Sequence, residues 1–197
     1  MLAIFKREFK SYFQNVIGWL FVAALLAVYG LYFYVYNLKN GYPYISYDLK
    51  GIGFIMMIAV PILTMRSLSD EKKTKTDQLM LTSPVSVGRI VAGKYLAMAA
   101  VYTIDIALFA LSPLVLSIYG KVALSEAYVA LFGYWLYGLS CIAVGLFISS
   151  ISESVIISAI LTFAALFLSY MMQSITGLIC SQRYLIALIC THHLRIL

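Results

Sequence analysis

The sequence predicts an all-α protein, a polytopic bundle of transmembrane helices. Hydrophobic residues make up 63% of its 197 residues and charged residues only 11%, whereas a soluble domain of this length carries far more charge on its surface. The charges fall in a few gaps between uncharged runs, and several runs reach the roughly 20 apolar residues that a helix needs to cross a bilayer. We therefore expect a single transmembrane domain over residues 1–197, without a separate soluble domain.

The first 15 residues predict an amphipathic helix that lies in the membrane interface. Apolar and polar side chains occupy opposite faces of this helix. The apolar positions are Leu2, Phe5, Phe9, Tyr12 and Val16, and the polar ones are Lys6, Arg7, Lys10 and Gln14. A cleaved signal peptide is the alternative, but the apolar run that follows is too long and lacks a convincing cleavage site. We expect the helix to stay attached.

About five membrane-spanning helices are predicted. Four long runs place spans near residues 17–36, 95–117, 128–149 and 154–176. A shorter run, residues 51–65, can also cross if Lys50 and Arg66 extend their charged groups to opposite interfaces. The alternative for this run is a re-entrant or buried segment. Pro61 and Pro113 lie within spans, where each removes a backbone hydrogen bond and produces either a hinge or a static bend.

The distribution of Lys and Arg predicts a multi-pass protein of the cytoplasmic (inner) membrane with its N-terminus inside. Positive residues near span ends are retained on the cytoplasmic side. Nine would then be cytoplasmic (Lys6, Arg7, Lys10, Arg66, Lys72, Lys73, Lys75, Arg89 and Lys94) and three external (Lys39, Lys50 and Lys121). These residues flank spans rather than forming a stripe beside stacking aromatics, so we expect membrane lipid, and no nucleic acid, as a partner.

The one long polar interruption, residues 66–94, has helical patterning. Ser67 or Ser69 can cap a short helix with acidic residues in its first turn. Residues 79–81 form an apolar ridge, and Ser83 with Pro84 ends one helix and starts the next. Two interpretations fit: the segment is bound by another protein at the membrane surface, or it is a loop whose apolar ridge rests among lipid headgroups.

Several stretches resemble the permease subunits of ABC-2 type transporters, most closely the gliding-motility-associated permeases. They are IFKREFKSYF at 4–13, PILTMR at 61–66, EKK at 71–73, TDQLMLTSPVS at 76–86, VAGK at 91–94 and GLFISS at 145–150. The resemblance therefore covers about residues 1–170, and the long run around Ser83 and Pro84 is its most specific part.

The resemblance implies that residues 67–82 form a coupling helix, which docks into a separate ATP-binding subunit. The contact residues would be Glu71, Thr76, Leu79, Met80 and Leu81. ATP hydrolysis would then drive export, and two permease subunits would pair. Two departures stand out: Lys75 occupies a place where these permeases commonly have Gly, and the chain ends after about five spans where six are usual. The second departure predicts a truncated C-terminus that lacks the last span.

Other chemistry is disfavoured by the sequence. Residues 88–95 approach a phosphate-binding loop, but Tyr95 replaces the required Ser or Thr and no strand precedes the segment. We therefore expect no ATP site and no enzymatic activity in this chain. Cysteines and histidines lack the spacing of metal ligands, so no metal or other cofactor is expected; they are Cys141, Cys180, Cys190, His192 and His193.

Asp105 lies near the middle of the third predicted span, where a carboxylate is costly unless it is paired, protonated or exposed to water. It is either a substrate or proton site, or a structural acid bonded to Tyr102 or to another span. Three functions remain open: a permease subunit of an ATP-driven exporter, a membrane anchor or assembly component that binds the same ATPase, and an ion-coupled carrier centred on Asp105.

Overall fold

The computed structural model describes residues 2–14, 16–41, 45–65, 87–119, 123–152 and 154–172. Every regular element in these ranges is a helix, which confirms the predicted all-α class. The elements are α1 (Leu2–Gln14), α2 (Val16–Tyr32) with a π-helical continuation (Phe33–Lys39), α3 (Ile45–Thr64), α4 (Val87–Phe109), α5 (Ser112–Tyr119), α6 (Leu124–Ile151) and α7 (Val155–Met172).

Four helical stretches within the described ranges are long and apolar enough to cross a membrane. They are Gly18–Lys39, Gly88–Ile118, Leu124–Ile151 and Val155–Met172, and they correspond to the four spans that were predicted from long runs. The shorter run becomes part of α3, a 20-residue helix that begins at Ile45 rather than at residue 51. Since α3 is not among these four stretches, its crossing of the membrane stays a prediction.

The chain divides into two compact units, Met1–Phe163 and Ala164–Leu197. The first unit contains α1 to α6 and the start of α7. In the second unit, the structure describes the remainder of α7 up to Met172.

The core of the first unit is built around α3, which packs against α2 and α6. Its buried side chains recur at spacings of three and four, and Ile52, Met56 and Val60 are fully inaccessible. The ring of Tyr32 lies directly over Gly51, in the space that a Cβ atom would occupy.

A row of aromatic side chains joins α1 to α2. Phe9 stacks on Phe5 at 5.8 Å and contacts Phe13 at 5.0 Å, and Phe13 meets Trp19 edge-on at 5.4 Å. The indole N–H of Trp19 donates to the Phe13 carbonyl oxygen at 2.9 Å. The helix predicted at the N-terminus is confirmed, but the expected place of Val16 on its apolar face is wrong. Val16 begins α2 and is 77% exposed, because the helical period of α1 ends at Gln14.

The third predicted span is interrupted, since α4 ends at Phe109 and α5 begins at Ser112. The Ser112 hydroxyl donates to the Phe109 carbonyl oxygen at 2.7 Å, which satisfies one backbone group released at the break. Pro113 lies in the first turn of α5, where its missing N–H has no helical partner to lose. Pro61, in contrast, lies inside the continuous helix α3. A hinge role of either proline stays a prediction.

Candidate functional site

The predicted coupling segment is attached to two helices that the structure describes. The contact residues themselves, Glu71, Thr76, Leu79, Met80 and Leu81, fall in residues 66–86 and lie outside the described residues. The segment follows α3, which ends at Thr64, and precedes α4, which starts at Val87. The segment is therefore covalently continuous with these two helix ends.

The end of α3 is packed tightly against α6. Thr64 is fully buried, and its hydroxyl donates to the Val60 carbonyl oxygen at 3.0 Å. A Cβ atom added to Gly145 would lie 2.6 Å from the Thr64 hydroxyl oxygen, so only glycine permits this approach. Gly138, Cys141 and Gly145 all lie on the buried side of α6, which makes this face of small residues a contact surface for neighbouring helices.

The start of α4 is attached to α1. A Cβ atom at Gly93 would lie 3.0 Å from a methyl carbon of Ile4. One residue later, the Lys94 ammonium lies 3.8 Å from a carboxylate oxygen of Glu8, and the Lys94 side chain is 2% exposed. Sequence reasoning placed Lys94 on the cytoplasmic side but did not pair it with Glu8. No local signal links them, because they are far apart in the chain.

Substituting Glu8 with Gln is expected to loosen the attachment of α1. The change removes the negative charge facing a buried ammonium and should lower the free energy of unfolding by about 1–3 kcal/mol. Thermal unfolding of the detergent-solubilised protein, with limited proteolysis of the N-terminus, measures the effect. Arg7→Gln is the matched control: it removes the 2.8 Å pair between Arg7 and Glu8, but Arg7 is 59% exposed, so about 0–1 kcal/mol is expected. Equal effects of the two changes would contradict a special role of the buried pair.

Asp105 lies in α4 and is fully buried, and neither of its carboxyl oxygens has a hydrogen-bond partner among the described residues. The bond to Tyr102, one of the two partners considered for a structural acid, is not formed, because the Tyr102 hydroxyl donates instead to the Tyr134 carbonyl oxygen at 2.8 Å. Both tyrosines lie near enough to Asp105 to interact with it electrostatically. The Tyr134 hydroxyl is also buried, and it has no hydrogen-bond partner in the described part of the chain.

We call Asp105 and the Tyr134 hydroxyl the buried polar centre, because both are buried and neither uses its full hydrogen-bonding capacity within the described residues. Within the described ranges no cation pairs with Asp105, and an unpaired charge at this depth is expensive. A neutral, protonated carboxyl group fits these surroundings best. Such a group can donate a hydrogen bond to a polar ligand or release a proton when water enters.

A second buried acid, Asp48, contrasts with Asp105 because it has a partner. The side-chain amide of Asn37 donates to one of its oxygens, and both residues are buried. Asn37 belongs to the π-helical continuation of α2, whose wider turn changes which side chains face inward. Sequence reasoning missed this pair, since periodicity at 3.6 residues does not reveal a π-helical turn.

Two weaker candidates can be placed as well. The stretch that resembles a phosphate-binding loop is helical from Val87 onward within α4, so it has no loop with free N–H groups around a phosphate. Cys141 is buried in α6. The remaining cysteines and histidines lie in residues 173–197, outside the described part of the chain.

Comparison with known protein families gave one informative match. The sequence model described as ABC-2 family transporter protein matches residues 32–186, well over half of the chain. Neither the curated proteins nor the solved structures gave a significant match. The matched range includes the polar segment, both helices attached to it and the buried polar centre.

Proposed function

Since the chain belongs to the ABC-2 transporter family, we propose that it is the membrane-spanning permease subunit of an ATP-binding cassette exporter. ATP hydrolysis takes place on a separate subunit. The family match carries the proposal, because it includes residues 66–86 together with α3 and α4. The resemblance to gliding-motility-associated permeases further suggests a subgroup, and the positive residues suggest the inner membrane with the N-terminus inside.

In the proposed mechanism, the ATP-binding subunit binds the apolar ridge of Leu79, Met80 and Leu81. Glu71 and Thr76 belong to the same contact. Closure of two such subunits displaces the segment, and hence the end of α3 and the start of α4. Two close contacts support this route: Thr64 against Gly145 and Ile4 against Gly93. Packed interfaces of this kind transmit a displacement as movement of whole helices rather than absorbing it. Two permease subunits together enclose the substrate path.

Loss of the ATPase partner tests this proposal. The tagged chain is purified from its own membranes in mild detergent, and the co-purifying proteins are identified by mass spectrometry. The wild type is expected to retain an ATP-binding subunit, and Leu79→Asp/Leu81→Asp to lose at least 90% of it. A desolvated apolar anchor replaced by charge typically costs 2 kcal/mol or more, which is roughly a 30-fold loss of affinity.

The matched control keeps the same positions apolar. Leu79→Met/Leu81→Met should retain the partner, because it conserves side-chain volume and hydrophobicity. Size-exclusion profiles of all three proteins establish that they are equally folded. If the wild type is monodisperse and carries no ATP-binding subunit, the exporter proposal is wrong.

The buried polar centre supports a second candidate, an ion-coupled carrier centred on Asp105. The specific observation in its favour is that both carboxyl oxygens lack a hydrogen-bond partner among the described residues. Such a carrier is insensitive to Leu79→Asp/Leu81→Asp but inactive after Asp105→Asn, whereas a permease subunit fails with the first change. Proteoliposome transport by these two variants separates the candidates.

A further inference from the structure

A groove of about 780 Å³ lies between α1, α4 and α6. Phe5 of α1 lies at one end, near the attachment of α1 to α4. Thr103 and Trp135 lie at the other end, and Ala99 and Ala100 lie between. The groove follows α4 over the nine residues from Tyr95 to Thr103, which are about 12 Å apart along the helix axis.

The polar groups in the walls of the groove are already satisfied within the protein. The Tyr95 hydroxyl donates to the Leu139 carbonyl oxygen at 3.3 Å. The Trp135 indole N–H donates to the Thr103 hydroxyl at 3.1 Å, and that hydroxyl donates to the Ala99 carbonyl oxygen at 2.7 Å. The walls therefore offer apolar surface and little capacity for a polar solute. An alkyl chain fits such a surface.

The position of the groove in the bilayer also fits an alkyl chain. Thr103 lies at the middle of the candidate span Gly88–Ile118, so the inner end of the groove is near the membrane midplane. The hydrocarbon of one leaflet is about 15 Å deep, close to the length of the groove. The other end, near Phe5, therefore lies at the level of the headgroups, where an amphipathic helix such as α1 lies.

Positive side chains follow Phe5 on α1. Lys6 follows Phe5 in α1, Lys10 lies one turn further on the same face, and both are exposed. The carboxylate of Glu8 is occupied by Arg7 and Lys94, so it does not offset these lysines fully. An alkyl groove with two exposed ammonium groups on the adjoining helix α1 is complementary to a negatively charged amphiphile.

We infer that this groove is a selective site for an anionic phospholipid of the leaflet in which α1 lies. One acyl chain occupies the groove between Phe5 and Trp135, and the phosphate is held by Lys6 and Lys10. The site does not depend on the proposed ATPase partner. By filling the space between α1, α4 and α6, the lipid supports the attachment of α1 to α4.

Trp135 provides a direct reporter, because the chain contains only two tryptophans. Trp19→Phe removes the other one and keeps an aromatic ring against Phe13. This protein is reconstituted in phosphatidylcholine vesicles with rising fractions of phosphatidylglycerol brominated in mid-chain, or of similarly brominated phosphatidylcholine. Half-maximal quenching of Trp135 is expected at a fraction of brominated phosphatidylglycerol roughly fivefold lower than that of brominated phosphatidylcholine. This ratio corresponds to a difference in binding free energy of about 1 kcal/mol.

Two variants in the Trp19→Phe background assign the preference to the groove. Ala100→Phe fills the groove but keeps the lysines, and Lys6→Gln/Lys10→Gln removes the charges but keeps the groove. Both should abolish the preference for the anionic lipid. The matched controls are Val129→Phe, which adds a ring at a 72% exposed position of α6, and Lys39→Gln, which removes an exposed charge elsewhere. Both controls should retain the preference.

Three outcomes would overturn the inference. Equal quenching by the two brominated lipids means ordinary, unselective solvation by the bilayer. A preference that survives in Ala100→Phe means attraction to charged headgroups without a groove site. A Trp135 that neither lipid quenches means that protein, such as a second copy of the chain, covers the groove. The lysine variant alters only exposed side chains, so its result stands even if Ala100→Phe fails to fold.

Discussion

Gly138→Ala is expected to lower the free energy of unfolding by roughly 2–4 kcal/mol. The ring of Tyr102 lies over Gly138 and occupies the space of the added Cβ atom, with both the ring carbons and the hydroxyl in its way. Tyr102 is fully buried, so the ring cannot swing aside without disturbing the packing of α4 on α6. Its displacement also weakens the 2.8 Å hydrogen bond to the Tyr134 carbonyl oxygen. Thermal unfolding in a fixed detergent, followed by circular dichroism, measures the loss.

Gly133 supplies a control on the same helix. A Cβ atom at Gly133 would meet no other atom within 4 Å, so Gly133→Ala restricts only the unfolded chain and should be neutral or stabilising by up to about 1 kcal/mol. The two alanine variants therefore differ in sign. Similar melting temperatures for both would show that the contact between Tyr102 and Gly138 does not limit the packing of the bundle.

Asp105→Val and Asp48→Val are expected to change stability in opposite directions, although both carboxyl groups are fully buried. The Asp105 variant removes a carboxyl group that lacks a hydrogen-bond partner among the described residues, and should gain about 1–3 kcal/mol. The Asp48 variant leaves the amide of Asn37 buried without its acceptor, and should lose about 1–3 kcal/mol. Both values come from thermal unfolding under the same conditions as the wild type.

The transport activity of the Asp105→Val variant shows whether the carboxyl group has a function. If the variant is more stable but loses transport, Asp105 is a functional group that lowers the stability of the wild-type protein. A destabilised Asp105→Val would instead show that the carboxyl group has a structural partner outside the described residues. Retained transport with increased stability would remove Asp105 from the candidate site.

The fold was largely predictable because length and composition decide which segments cross a membrane. The run 128–149 is free of charge, and the structure has a helix there, Leu124–Ile151. Prediction was weaker for features that depend on local backbone geometry. The break before Ser112 was expected only as a bend at Pro113, and the π-helical segment Phe33–Lys39 leaves no trace in an apolar pattern.

The candidate site was predictable in its chemistry but not in its contacts. A lone acid inside a span identified Asp105, since charge is rare at that depth. The pairs between Glu8 and Lys94 and between Asn37 and Asp48 could not be predicted, because tertiary packing brings together side chains from different helices. The close helix contacts at Gly138 and Gly145 are likewise known only from the structure, which identifies their partners as Tyr102 and Thr64.

The attachment of α1 also has a consequence for biosynthesis. Glu8 and Ile4 meet Lys94 and Gly93, so α1 lacks these two partners until the start of α4 has been made. At translation rates of about 5–20 residues per second, this interval lasts roughly 4–17 s. During that time the amphipathic surface of α1 can hold it on the lipid. The same surface thus first binds the nascent chain to the membrane and later forms a contact in the folded protein.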